Sequence, residues 1–324
     1  MARRPDQRGV ALIVVLLMIS IIIAVTLELN RDSRGEIYDA MNTGDAVRLR
    51  YLAKSGFAAG EAFLLADRNG FDGLTEDWSK PERVLEKTGE DLSPENCRVS
   101  IEDDSGRIPL NKLVVGATYN QELGNLLIRL LSLPEFRLEQ KQVHAIVDSL
   151  KDWLDADGEV TGEDGAEASH YAGLERPYPV KNAPLDCIEE LLMVKGITKE
   201  LLYGGEDTPG LAPLVTLYGD GRKNINTAPV RVLRALTAEI TEEMVGDMQL
   251  YRKSEDNDLS DSLWYHRASG MSGVNINPNL ITSKSRVFRI TATGVYGNLQ
   301  QTVTGVVRRD PDKKAMQLLY WRVQ

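Results

Sequence analysis

The chain has 324 residues, with 38 Lys and Arg set against 48 Asp and Glu for a formal charge of −10. That balance repels nucleic acid and anionic lipid and favours divalent cations as counter-ions. With three histidines and no H-E-x-x-H, G-x-S-x-G or G-x-x-x-x-G-K-[ST] pattern, it carries no recognised catalytic or nucleotide-binding signature.

The first element runs from Val10 to Leu27, an uncharged stretch broken only by the polar Ser20 and Thr26. At about 1.5 Å per residue it forms a helix of roughly 27 Å, close to the thickness of a bilayer core. The preceding residues carry Arg3, Arg4 and Arg8 against a single Asp6, and a basic flank stays cytoplasmic, so the bulk of the chain faces the other compartment. No small-residue cleavage motif follows Leu27; the small residue at a junction is Gly9, ahead of the apolar run. Two readings fit: a plain N-terminal anchor, or a leader of residues 1–9 removed after Gly9. The second resembles the class III signal of type IV pilins and type II secretion pseudopilins. That resemblance implies a prepilin peptidase that cuts between Gly9 and Val10 and methylates the new terminus at Val10.

The helical pattern then continues. From Val10 to about Asp67 no proline intervenes, and Tyr38, Met41, Leu49, Leu52, Gly56, Gly60 and Phe63 are predicted to share one face. The membrane part is assigned to residues 10–29 and an amphipathic continuation to about 67. Residues 69–94 read as loop with a short helical turn, and Cys97–Glu102 as a half-buried strand. From about 120 to 283 the apolar spacing is helical, including the stripes Leu123-Leu126-Leu127-Leu130-Leu131 and Val143-Ile146-Val147-Leu150-Leu154. The tail alternates over 286–293 and 301–307 with Gly297-Asn298 as a hairpin turn, and 316–323 reads as a last strand. The expected fold class is α+β: a long N-terminal helix packed on an antiparallel sheet (residues 68–112 and 284–324), with a large all-α insertion at 113–283. Cys97 and Cys187 match no metal spacing; they read either as one disulfide or as two separate thiols.

Several phrases resemble one family, the type II secretion minor pseudopilin K: Arg8-Gly9-Val10-Ala11-Leu12-Ile13, Asp104-Ser105-Gly106-Arg107-Ile108-Pro109-Leu110-Asn111, and Asp152-Trp153-Leu154-Asp155-Ala156-Asp157. Gly165-Ala166-Glu167 with Tyr171, Glu189-Glu190-Leu191 with Lys195-Gly196-Ile197-Thr198, and Asn224-Ile225-Asn226-Thr227-Ala228-Pro229 follow in the same order. The resemblance implies a pilin-like fold and a single-pass protein of the bacterial inner membrane with its globular part in the periplasm. It also implies partners: the I and J minor pseudopilins, the major pseudopilin and the prepilin peptidase. Most pilins carry Glu at the fifth mature position, where its carboxylate neutralises the terminus of an adjacent subunit. Here that position is Val14, the pattern expected of a subunit capping the filament tip, since an unpaired carboxylate in lipid is costly.

Between Asp148 and Glu167 the chain crowds eight acids, Asp148, Asp152, Asp155, Asp157, Glu159, Glu163, Asp164 and Glu167, with Lys151 as the nearby base. Like charges packed so closely call for a cation, and an oxygen-only donor set points to Ca²⁺ over zinc. Asp155-Ala156-Asp157-Gly158-Glu159 opens like an EF-hand, but Val160 stands where its Gly is required and Ala166 where its last Glu belongs. The expected ligands are Asp155, Asp157, Glu163 and Glu167, with Asp152 and Asp164 as further candidates. The pseudopilin K resemblance, which implies a calcium-binding insertion, points the same way; the alternative is a solvated acidic loop.

Two other functional classes were weighed. Leu192–Thr198 and Asn224–Leu233 resemble pieces of helix-hairpin-helix DNA-binding modules, but Thr198 replaces the second hairpin Gly and the surroundings are acidic. They are read as packing or protein-contact elements, with no nucleic-acid partner. A membrane-anchored envelope enzyme is the other class, and no constellation of residues singles it out.

Overall fold

A computed structural model describes residues 9–86, 92–93, 95–310, 313 and 315–324. The arginine-bearing leader at 1–8, the expected loop positions Gly89 and Pro94, and Pro311 and Asp312 of the last turn lie outside the described residues.

Helix α1 spans Val10–Ala66, with Gly9 at its N-cap. Its apolar part from Val10 to Leu27 is exposed along its whole length. The two polar residues there cost little in lipid, because Ser20 Oγ donates to the Leu16 carbonyl at 2.8 Å and Thr26 Oγ1 to the Ile22 carbonyl at 2.7 Å. Burial begins only at the lower half of the helix, on Leu49, Ala53, Gly56, Phe57, Gly60 and Leu64. The predicted face is therefore corrected: Tyr38 and Met41 are 67% and 60% exposed, and Leu52 and Phe63 are half-buried at the flanks of the buried stripe. Sequence period reports a face, but the sheet reaches no further up the helix than about Leu49.

That sheet has four antiparallel strands in sequence order: β1 (Cys97–Asp103), β2 (Val287–Tyr296), β3 (Leu299–Asp310) and β4 (Ala315–Val323). Ile101 lies opposite Ile290 and Ala292 opposite Val303, so one face of the pleat is uniformly apolar. Gly297, at φ 58°, makes the β2–β3 turn that L-residues with side chains resist. Gly56 and Gly60 let α1 press onto this face: a Cβ on Gly60 would stand 2.9 Å from Ile290 Cγ2. Trp321 of β4 meets Phe57 of α1 edge-on at 4.9 Å. Together with helix α2 (Pro81–Glu86) and Trp78, these residues form one core.

The chain between β1 and β2 forms a second core of its own. It contains α3 (Gln121–Leu131), α4 (Gln140–Leu154), α5 (Ala168–Ala172), α6 (Lys199–Tyr203), α7 (Val230–Ala235) and α8 (Glu242–Lys253), linked by short 3₁₀ turns. Every predicted residue of the α3 and α4 stripes is buried. The region is not purely helical, however. Ile108–Pro109 pairs in parallel with Val215–Thr216, and Lys223–Asn224 with Ile281–Thr282. These ladders pair residues too distant in sequence for any local pattern to register.

Polar groups tie the two cores together. Asn224 Nδ2 donates to Asp103 Oδ2 at 3.2 Å and to the Asp72 carbonyl at 2.9 Å, while Ser285 N donates to Asp72 Oδ2 at 2.7 Å. Arg309, from β3, donates to Asp67 Oδ2 at 3.0 Å and also to the Asp72 carboxylate. Asn224 belongs to the Asn224–Pro229 phrase, and its role is to hold the junction.

Candidate metal centre

Helix α4 delivers its last turn, with Asp152 and Asp155, into the acidic loop. A capping box starts the helix, with the Glu139 backbone N–H donating to Gln142 Oε1 at 2.9 Å. Asp152 is fully buried and organises the loop instead of facing its centre: its carboxylate accepts from Thr161 N at 3.0 Å and from Ala166 N at 2.7 Å. A Cβ on Gly165 would sit 2.4 Å from Asp152 Oδ2, so the return of the loop needs a residue without one.

Three of the six predicted ligands converge. Asp155, Asp157 and Glu167 each place a carboxylate oxygen within 4.8 Å of the others. Two oxygens on opposite sides of a Ca²⁺ ion, each at about 2.4 Å, are about 4.8 Å apart, so one ion can reach all three. Glu163 points to solvent and is corrected out of the set. Asp164 pairs with Lys141 at 3.6 Å, and Asp152 is spent on backbone N–H groups. Spacing along a loop cannot separate a ligand from a residue that shapes the loop, since both are acids in the same run.

The electrostatics mark the three as incomplete without a cation. Asp155 is 5% exposed and Glu167 3%. Asp155 Oδ1 and both Glu167 oxygens are buried without a well-formed hydrogen bond. Burial, and then the charges of Asp152, Asp155 and Asp157, push the Glu167 carboxyl up to about 7. Burial likewise raises Asp155, against the opposing Lys151, whose Nζ is 3.1 Å from Asp155 Oδ2 and 2.6 Å from Thr161 Oγ1. A hard divalent cation would supply the positive charge that these buried oxygens lack, and the residues present fit Ca²⁺.

The hairpin at Gly196 is packed, not presented. Gly196, at φ 85°, lies against Ile146 of α4, where a Cβ would come within 2.7 Å of Cγ1. Lys195 Nζ turns inward to the carbonyls of Asp164 at 2.8 Å and Gly165 at 3.3 Å, and Thr198 Oγ1 caps Leu201 N at 3.1 Å. The groups that would face a phosphate are therefore engaged inside the chain. Sequence reasoning missed Lys195 as a support of the acidic loop, and no spacing rule would have found it. Cys97 and Cys187 are separate free thiols, the first buried and the second exposed. At the other end of the molecule, Gly9 and Val10 sit at the exposed start of α1, and Val14 is exposed one turn further on.

A long helix exposed in its apolar first half, a four-stranded sheet on its second half and a helical insertion between the first two strands define a membrane-anchored, pilin-like subunit. The family described as type II secretion system (T2SS), protein K, matches residues 106–220, from the turn after β1 into the insertion. Type II secretion system protein K of Pseudomonas aeruginosa is 30% identical, with the alignment covering 96% of this chain and 91% of that protein. The protein of the same name from Aeromonas hydrophila is 23% identical over 60% of each. This chain belongs to the type II secretion system protein K family. The fold is that of a chain in the crystal structure of the GspK-GspI-GspJ complex from enterotoxigenic Escherichia coli, with a TM-score of 0.64 at 19% identity over 91% of this chain and 99% of that one.

Proposed function

We propose that this minor pseudopilin is made as a precursor, cut after Gly9, methylated on Val10 and placed at the tip of the type II secretion pseudopilus. Its globular part stands in the periplasm, on the far side of the membrane from the basic leader. There it joins the I and J minor pseudopilins above the major pseudopilin and serves protein export across the outer membrane. The solved relative is described in complex with GspI and GspJ, which supports those partners. The observation that carries the reading is the first half of α1: an apolar helix with no partner in its own chain and with Val14 where an acid would need a mate in lipid.

A Ca²⁺ ion held by Asp155, Asp157 and Glu167 is the structural complement of this role. It neutralises the buried oxygens and fixes the loop that closes the insertion beneath α4. The protein's part is assembly, with no catalytic turnover. Gly9→Val tests the central step in secreting cells: full-length precursor should accumulate and exoproteins should remain in the periplasm. Normal maturation and secretion by that variant would contradict the reading.

A further inference from the structure

Beside the three carboxylates, a fourth residue at the loop has an oxygen to offer. Asn182 lies in the irregular strap at 173–187 that follows α5, and its backbone is left-handed at φ 47°. Asparagine tolerates that region better than most residues, yet it is a position that needs support from its surroundings. Asn182 Nδ2 donates to the Asp157 carbonyl at 2.6 Å, which places the residue at the acidic loop and fixes which way its amide is turned. Asn182 Oδ1, the other end of the amide, is buried with no hydrogen-bond partner. An amide oxygen left in that state costs about 1–3 kcal/mol unless something binds it. The neighbouring Lys181 does not, since its Nζ is held by Asp186 Oδ2 at 2.7 Å and Glu190 Oε2 at 2.8 Å.

Building on the calcium reading above, we infer that Asn182 donates its side-chain oxygen to the cation held by Asp155, Asp157 and Glu167, so that the ion fastens the 173–187 strap to the end of α4. The chemistry suits the ion: Ca²⁺ takes amide carbonyl oxygens alongside carboxylates and needs six to eight donors, more than three carboxylates bound through one oxygen each provide. The left-handed backbone and the unpaired oxygen then have one common cause. The strap has other ties at the same end, with Ala183 N donating to the Trp153 carbonyl at 3.3 Å and Asn111 bonding both N and O of Leu185 at 2.8 and 2.9 Å. Just beyond it, Glu189 pairs with Arg322 of β4 at 3.7 Å. An ion that orders the strap therefore also steadies the contact between the insertion and the sheet edge.

The test uses the full chain in detergent, with Ca²⁺ affinity measured by calorimetry and Eu³⁺ as a luminescent substitute whose decay in H₂O and D₂O counts bound waters. Asn182→Ala should gain about one water on the ion, filling the place of the lost donor. Its Ca²⁺ affinity should fall at least about tenfold, the cost of losing even an outer-shell partner. Asn182→Asp should keep the water count of the parent, which also shows that a change at this position leaves the fold intact. An unchanged water count in Asn182→Ala, whatever its affinity, would overturn the assignment of Asn182 while the parent's binding upholds the calcium reading. Failure of the parent chain to bind either ion would overturn the calcium reading, and this inference with it.

Discussion

A Cβ built on Gly56 of α1 would stand 2.5 Å from the sulfur of Cys97 on β1. Helix and sheet meet there at the distance a missing side chain permits, and Cys97 Sγ itself is 3.7 Å from the Leu52 carbonyl one turn up the helix. Because the next contacts, Val99 Cγ2 at 3.0 Å and the Ala292 Cβ at 3.3 Å, belong to the sheet, α1 cannot accept a methyl without moving off it.

Gly56→Ala should therefore destabilise the protein despite alanine's better helix propensity, since overpacking a core costs about 1–3 kcal/mol. Chemical denaturation followed by Trp fluorescence should show a lower midpoint with an unchanged slope. Gly35→Ala, at an exposed helical glycine with nothing within 4 Å, is the matched control and should be neutral or stabilising.

The buried carboxyls set a pH dependence whose sign can be worked out. Burial raises Asp103 from 3.8 to about 6, Glu76 from 4.5 to about 7 and Glu167 from 4.5 to about 7. Between about pH 4 and pH 7 the folded state thus binds more protons than the unfolded chain, and in the presence of a chelator stability should fall as the pH rises through that window. Lys223 acts in the opposite sense: burial lowers it from 10.5 to about 7, so its contribution grows with pH from about 7 upward. Calcium should reverse the first trend, because it binds the ionised carboxylates. The rise in Tm on adding Ca²⁺ should be larger at pH 7.5 than at pH 5.5. Equal or absent shifts at the two pH values would remove calcium from the account.

The two thiols should differ sharply. Cys97 is buried, and desolvation pushes its thiol up to about 11, whereas Cys187 is exposed. A maleimide should label Cys187 in the native protein within minutes and Cys97 only after unfolding. Native protein with neither thiol reactive, and both recovered after reduction, would instead reveal a disulfide between them.

Much of this architecture was legible because it is local. The uninterrupted apolar run to Leu27, the alternation of β1, β2 and β3 around Gly297, and the leucine stripes of α3 and α4 each report a period that the structure keeps. What was not legible depends on distant parts of the chain. Tyr38 and Met41 have the right spacing for a buried face, but no strand extends far enough to cover them. Within the acidic loop, composition pointed to a cation, and only geometry could divide the acids. Asp155, Asp157 and Glu167 face inward, Asp152 secures the backbone, and Glu163 faces solvent. Asn182 and Lys195 were invisible from sequence because the partners they meet lie 25 and 31 positions away.

The most direct measurement is the intact mass of the protein extracted from the membranes of secreting cells. The account predicts a chain that begins at Val10 with one added methyl group on its amino terminus. A chain that still begins at Met1, unmethylated, would contradict it and leave only a tethered protein with a pilin-like fold.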